Sequence, residues 1–352
     1  MIATELMSSG LTPSDAIGSD LILGIESSCD DTAAAVVDRE GRVLSSVVAS
    51  QVEVHAPFGG VYPEHASRAH VRNIIPVVRA AMDQAGVAPS DLIAIGVTRG
   101  PGLIGPLLVG LNTATGLGQG WGVPVVGVNH LRGHLRSADL EAQRVRYPAM
   151  VLLVSGGHTF LARMTSPAEI EMLGTTRDDS FGEAYDKVGR MLGLGYPGGP
   201  AVDRMAKAGR ATIAFPKSMM NAGLEFSFSG LKSAVARHLE KHPETLTDEG
   251  LTSDVCASFV KVCVEVLLAK AGRALQAYPS ESMVIVGGVS ASPQIREGFQ
   301  ALCDRMGVDL CLPPLRWSTD NAAMIALAAF DYLDLAERLA PAPQSRLSIT
   351  EY

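Results

Sequence analysis

The sequence predicts a two-lobed α/β protein in which one βββαβαβα unit occurs twice. Two observations carry this. Short apolar runs bounded by polar turns alternate with stretches of helical periodicity. The order of elements met before residue 130 then recurs after it. From Leu21, "LILGIESS" is an apolar run that closes in the polar loop "CDD". "TAAAVVD" and "RVLSSVVAS" follow across the loop "REG", so the unit opens with three consecutive strands on tight connections. "PEHASRAHVRNIIPVVRAAMDQAG" is a helix with a glycine stop near residue 86. "DLIAIGVTRG" reads as a buried strand, "GLIGPLLVGLNTATGLGQG" as a small-residue helix and "VPVVGV" as another strand.

In the second copy "AMVLLVSGG", "HTFLARMTS" and "EIEMLG" are the three strands and "FGEAYDKVGRMLG" the helix. An irregular, partly helical insertion covers about 195–250. The helix "DVCASFVKVCVEVLLAKAGRAL", the strand "SMVIVGGV", the helix "SPQIREGFQALCDRMG" and the strand "DLCLPP" follow, and a last helix starts near "TDNAAMIALAAF". The expected domains are a flexible tail over 1–20, a first lobe over 21–130 and a second lobe over 131–324. A C-terminal helix at about 325–345 would pack back on the first lobe.

Composition bounds the function. A chain of 352 residues exceeds one ordinary core of about 150. With 47% hydrophobic and 19% charged residues it has the composition of a globular enzyme. No apolar stretch approaches a membrane span of about 18 residues, and the first 20 residues lack the basic and apolar regions of a signal or transit peptide. Cys29, Cys256, Cys263, Cys303 and Cys311 are odd in number and form no CxxC, so a reducing cytoplasm is expected rather than a disulfide scaffold. A net charge of −8 argues against a generic nucleic-acid binder but leaves room for a specific RNA substrate.

A duplicated unit of this kind resembles the actin, sugar-kinase and Hsp70 superfamily. That resemblance implies a central cleft with nucleotide between the lobes and two hairpin loops, here "ESSCDDT" and "VSGGHT", turned toward phosphate. Neither is a Walker A loop.

Other motifs each carry two readings. In "VNHLRGHL", His130 and His134 lie one helical turn apart and can grip one metal ion from a shared face. His238 and His242 repeat the spacing among Arg237, Glu240 and Lys241, so surroundings must separate the pairs. "LVSGGHT" offers backbone at Ser155, Gly156 and Gly157 to a phosphate or acyl group, or is a plain hairpin turn. In "DDSFGEAYDKVGR", Glu183 and Lys187 form a surface pair, and Asp186 is either a ribose-hydroxyl acceptor or a solvated carboxylate. "GYPGGPAVD" is a rigid turn into a helix with Asp203 one turn on, and "VIVGGVSAS" a strand-to-helix turn suited to adenosine. Asp320 in "WSTDNAAMIALAAF" reads by default as a helix N-cap.

Together "GIESSCDDTAAAVV", "GGVYPEHASRAHV", "GPGLIGPLLVG", "NHLRGHL", "LLVSGGHT", "FGEAYDKVGRMLGLGYPGGP", "FSFSGLKSAV" and "STDNAAMIA" resemble the bacterial type of the tRNA N(6)-adenosine threonylcarbamoyltransferase family, formerly called O-sialoglycoprotein endopeptidase. The resemblance runs over about residues 21 to 335. It implies transfer of a threonylcarbamoyl group from threonylcarbamoyl-adenylate to the exocyclic amine of the adenosine beside the anticodon. The tRNAs are those reading codons that begin with A. The implied metal ligands are His130, His134 and Asp320, holding one divalent ion, Fe(2+) with Zn(2+) as rival. Asp320 is expected to reach the histidines from a facing lobe. The implied substrate contacts are Leu153, Val154, Ser155, Gly156, Gly157, Asp186, Gly199, Asp203 and Ser292, with threonylcarbamoyl-adenylate or ATP/AMP in the cleft. Ser292 stands where the family usually has asparagine, Arg132 where it often has glutamate, and Ala322 where glycine is common.

The implied partners are tRNA, a paralogous actin-fold subunit, a P-loop ATPase and a separate adenylate synthase, in the cytoplasm and away from membranes. Three rivals stand beside this. A metalloprotease needs Glu directly after the first histidine, where Leu131 stands. An actin-fold ATPase or sugar kinase would release ADP, and a non-catalytic nucleotide-binding scaffold would leave tRNA unmodified.

Overall fold

The structure, a computed structural model, describes residues 20–142, 144–336 and 342–351. The chain divides into two compact units. Of the described residues, those within 1–55, 61–144 and 320–352 form the first, and those within 56–60 and 145–319 the second. Residues 131–144 and 320–324, expected in the second lobe, thus belong to the first. The expected tail lies, but for Asp20, outside the described residues.

The first unit opens with β1 (Leu21–Glu26), β2 (Asp31–Asp38) and β3 (Val43–Ser50), then the short α1 (Val52–His55) and the long α2 (Pro63–Ala85). β4 (Leu92–Gly100), α3 (Ile104–Trp121), β5 (Val125–Asn129) and α4 (His130–Arg136) follow. The sheet order is β3-β2-β1-β4-β5, antiparallel between β1, β2 and β3 and parallel from β1 through β4 to β5. β1 is buried along its whole length, which is why it reads as a continuous apolar run. Leu21, Leu23 and Ile25 on one face join Ile74, Val77 and Ala81 of α2 in a core cluster.

The second unit repeats the plan. β6 (Ala149–Val154), β7 (Thr159–Met164) and β8 (Ile170–Thr175) lead to α5 (Phe181–Met191), α6 (Gly198–Ala208), α7 (Ser229–Lys241) and α8 (Glu249–Ala277). β9 (Ser282–Val286), α9 (Pro293–Met306) and β10 (Asp309–Cys311) complete it. The sheet order β10-β9-β6-β7-β8 reproduces the first sheet's order and its mix of parallel and antiparallel pairs. The insertion at 195–250 contributes α6 and α7.

The chain then returns to the first unit as α10 (Ala322–Ala329), every residue of which is buried. The longer helix expected over 325–345 stops early: a 3-10 turn covers Phe330–Leu335, and 337–341 lie outside the described residues. α10 approaches β1 so closely that a Cβ on Gly24 would lie 2.2 Å from the Ala322 carbonyl oxygen. Gly133 of α4 makes the same allowance, since a Cβ there would lie 2.7 Å from Ile325 Cδ1. Gly24 thus seats α10 on β1 and Gly133 seats α4 on α10, which brings together the residues described next.

Candidate metal centre and ligand loops

α4 starts where β5 ends because Asn129 caps it, its Oδ1 accepting from Leu131 N–H at 3.0 Å. One turn apart, the His130 and His134 rings lie edge to face with centroids 4.7 Å apart. At the other end of the contact Asn321 caps α10, accepting from Met324 N–H at 2.9 Å. Capping is therefore not the task of Asp320. Its Oδ1 lies 3.1 Å from His134 Nε2 and 3.6 Å from His130 Nε2. One ligand atom from each residue falls within 4.8 Å of the others. Among the described residues no other three His, Cys, Asp or Glu groups gather this way. All three belong to the first unit, so Asp320 reaches the histidines by the return of the chain and not from a facing lobe.

The donors fit a divalent ion. His134 is wholly buried; its Nδ1 has no hydrogen-bond partner and its Nε2 meets the Asp320 carboxylate. Such a group is costly to bury unless a ligand completes it. Burial works against a charged imidazole at His130, but Asp320 and Glu26 outweigh it and raise its pKa to about 9. Glu26 was not singled out in the sequence, where it only closes an apolar strand. Burial pushes its carboxyl up, yet the adjacent His130 prevails and holds it below the ordinary value. The second pair differs: the His238 and His242 rings lie 4.7 Å apart and tilted at the C-terminal end of α7, and His242 Nδ1 meets the exposed Glu244 Oε1 at 3.2 Å.

In the second unit the expected ligand residues form three local groups. Leu153 and Val154 close β6 as core side chains paired in the sheet, so only their backbone is available to a ligand. Ser155, Gly156 and Gly157 turn into β7, with Ser155 N–H donating to the His158 carbonyl at 2.9 Å. The turn is pinned to the start of α5, where Ser180 Oγ donates to the Gly156 carbonyl at 2.5 Å and Gly182 N–H to that of Ser155 at 3.2 Å. A Cβ at Gly156 or Gly157 would meet nothing within 4 Å, so this backbone is open.

Asp186 is not a solvated surface carboxylate. Its Oδ1 accepts from the Gly198 and Gly199 N–H groups at 2.9 and 3.1 Å and caps the first turn of α6. One turn along α6, burial raises the pKa of the Asp203 carboxyl, and the nearby Ser292 hydroxyl and Lys207 oppose the rise. Asp203 Oδ1 is buried without a hydrogen-bond partner. Ser292 precedes α9, and its hydroxyl donates to Gln294 Oε1 at 3.2 Å. The Glu183–Lys187 pair is present at 2.7 Å on the surface.

Duplicated sheets of this order, each opened by a hairpin, define an actin-like α/β protein. The fold is shared with HypF of T. kodakarensis, at TM-score 0.58 and 11% identity over 92% of this chain and 49% of that one. It is shared as well with component A of the Acidaminococcus fermentans (R)-2-hydroxyglutaryl-CoA dehydratase, at TM-score 0.55 and 15% identity over 90% and 100%. The chain belongs to the tRNA N6-adenosine threonylcarbamoyltransferase family, whose model matches residues 42–327. A protein of that name from Sorangium cellulosum is 49% identical over 346 residues, 93% of this chain and 96% of its own. Another, from Trichlorobacter lovleyi, is 49% identical over 316 residues, covering 89% and 92%. The protein is a transferase of tRNA modification. Among the described residues no helix is long and apolar enough to cross a membrane.

Proposed function

We propose that the protein moves a threonylcarbamoyl group from threonylcarbamoyl-adenylate onto the exocyclic amine of the adenosine beside the anticodon, in tRNAs reading codons that begin with A. A bond forms between that nitrogen and the carbamoyl carbon. The bond from that carbon to the phosphate oxygen breaks, and AMP and the amine's proton leave. An adenine amine is a weak nucleophile because its lone pair is delocalised, so the anhydride supplies the driving force. The protein's part is alignment and polarisation. The observation that carries the reading is the convergence of His130, His134 and Asp320. This donor set suits Fe(2+), with Zn(2+) as rival, and such an ion would act as a Lewis acid and template for substrate oxygens.

The chain's own groups would do the rest. The open backbone at Ser155, Gly156 and Gly157, with Leu153 and Val154 behind it, would bind the acyl-phosphate. Asp186, Gly199, Asp203 and Ser292 would receive the nucleoside, and the unpartnered Asp203 Oδ1 supports a hydroxyl donor there. We further propose a paralogous actin-fold subunit, a P-loop ATPase and a separate adenylate synthase as partners, in the cytoplasm where tRNA is found. Exposed Val71 and Ile75 of α2 beside Leu108 of α3 give the first unit an apolar stripe suited to a protein partner.

The test supplies threonylcarbamoyl-adenylate and unmodified tRNA to the pure protein, alone and with those partners, and analyses the nucleosides by mass spectrometry. Threonylcarbamoyladenosine with one AMP per transfer is expected. ADP with a phosphorylated sugar would favour a kinase, and unmodified tRNA a scaffold.

A further inference from the structure

We infer that Glu26 is the positioning residue of the metal centre: its carboxylate holds His130 with the proton on Nδ1, so that Nε2 is presented to an ion. The inference rests on the metal reading above and adds a residue to it.

Glu26 ends the central strand of its sheet and is 1% exposed. A carboxylate buried that deeply costs several kcal/mol unless its oxygens are satisfied (order of magnitude). Three groups satisfy it. Ser28 N–H donates to Oε1 at 2.5 Å, and Thr98 Oγ1, from the neighbouring strand β4, donates to Oε2 at 2.6 Å. His130 Nδ1 is the third, 3.0 Å from Oε2. An ionised carboxylate only accepts, so the hydrogen on this last bond belongs to the imidazole. The proton on Nδ1 leaves the lone pair of a neutral ring on Nε2. That nitrogen is the one 3.6 Å from Asp320 Oδ1, the oxygen His134 Nε2 also meets.

The arrangement is directional. Thr98 and Ser28 fix the carboxylate from two backbone segments, and the carboxylate in turn fixes the angle of the ring. Ser28 Oγ adds a second contact to Nδ1 at 3.3 Å. A carboxylate behind a ligand histidine orients the ring and raises its basicity toward the ion. A carboxylate serving only the fold would be indifferent to what occupies Nε2.

The experiment measures Co(2+) and Fe(2+) binding by chelator competition in wild type, Glu26→Gln and Asp320→Ala, alongside thermal unfolding of each metal-free protein. Glu26→Gln keeps the shape, removes the charge and can turn its amide N–H toward Nδ1. Affinity should fall roughly 10- to 100-fold, the Co(2+) d–d bands should shift, and the unfolding midpoint should stay within a few degrees of wild type. Wild-type affinity in a folded Glu26→Gln overturns the positioning role and leaves the metal reading standing. A wild type that binds no better than Asp320→Ala overturns both. A test without the variant keeps the inference falsifiable if Glu26→Gln does not fold. In the Zn(2+)-loaded wild type, 15N spectra of histidine should show His130 protonated at Nδ1 and ligating through Nε2. Ligation through Nδ1 overturns it.

Discussion

Arg132 donates through Nε to the carbonyl oxygen of Ile349, 2.7 Å away and 217 positions further along the chain. It also donates through Nη1 to Tyr332 Oη at 2.6 Å, and only 3% of it is exposed. Asn129, one residue before the first histidine, holds the same C-terminal segment by donating to the Ser348 carbonyl at 2.8 Å. Asn129 and Arg132 therefore brace α4, which carries the two histidines, against this C-terminal segment and Tyr332.

Arg132→Ala should accordingly destabilise the protein by about 2–4 kcal/mol, because it strands a buried carbonyl and a phenol while opening a cavity. Arg132→Lys should recover little of this, since one ammonium cannot serve both acceptors with the same fork. Denaturant unfolding checks both. A loss under about 0.5 kcal/mol in Arg132→Ala would mean that the brace contributes nothing.

Acid should loosen the start of α7. Asp178 accepts from the N–H groups of Phe228 and Ser229 at 2.8 and 3.1 Å and from the Ser227 and Ser229 hydroxyls at 2.6 and 2.7 Å. Burial pushes its carboxyl up, but these bonds prevail and hold it below the ordinary 3.8. A carboxylate so depressed stabilises the fold above 3.8, and that contribution is lost as pH falls through its lower folded value. Asp178→Ala should cost about 1 kcal/mol at neutral pH, the scale of a lost cap on an exposed group. The gap in unfolding midpoint between wild type and variant should close below pH 3.8. A gap independent of pH would refute the linkage.

The hairpin loop separates ligand space from packing. A Cβ on Gly182 would lie 2.6 Å from the Ser155 carbonyl oxygen, whereas one on Gly156 meets nothing within 4 Å. Gly182→Ala should therefore cost about 1–3 kcal/mol of stability. Gly156→Val should leave stability within about 0.5 kcal/mol yet weaken binding of a non-hydrolysable adenylate analogue more than about tenfold, or about 1.4 kcal/mol. Unchanged binding in Gly156→Val would remove the phosphate-loop role.

The strands and long helices were legible because each buries a continuous face, which a periodicity reports directly: β1 as an unbroken apolar run, α10 as eight buried residues. Relationships between distant segments were not. That α4 stays with the first sheet depends on Gly133 meeting Ile325, and no local pattern records such a contact. Asp186 was read as a ribose acceptor or a surface charge, and its bond to the Gly198 and Gly199 N–H groups belongs to neither reading. Asp320 sat where a cap was expected because Asn321, next to it, satisfies the same rule. Glu26 gave only a faint signal, a charged residue closing a buried strand.

The two histidine pairs share a spacing and differ in surroundings, so they should part company under mutation. His130 and His134 are buried and share the Asp320 carboxylate, whereas His242 is half exposed and pairs with Glu244 at a helix end. Two imidazoles alone hold a labile divalent ion poorly, and the carboxylate supplies both a third donor and charge neutralisation. Asp320→Ala should lose most bound metal and transferase activity. The fold should survive, because Asn321 and not Asp320 caps α10. Replacing His238 and His242 together by alanine should change neither metal content nor activity. Metal analysis of the purified variants, with circular dichroism to confirm folding, decides between the pairs. Full occupancy in Asp320→Ala, or metal loss on removing His238 and His242, would overturn the assignment.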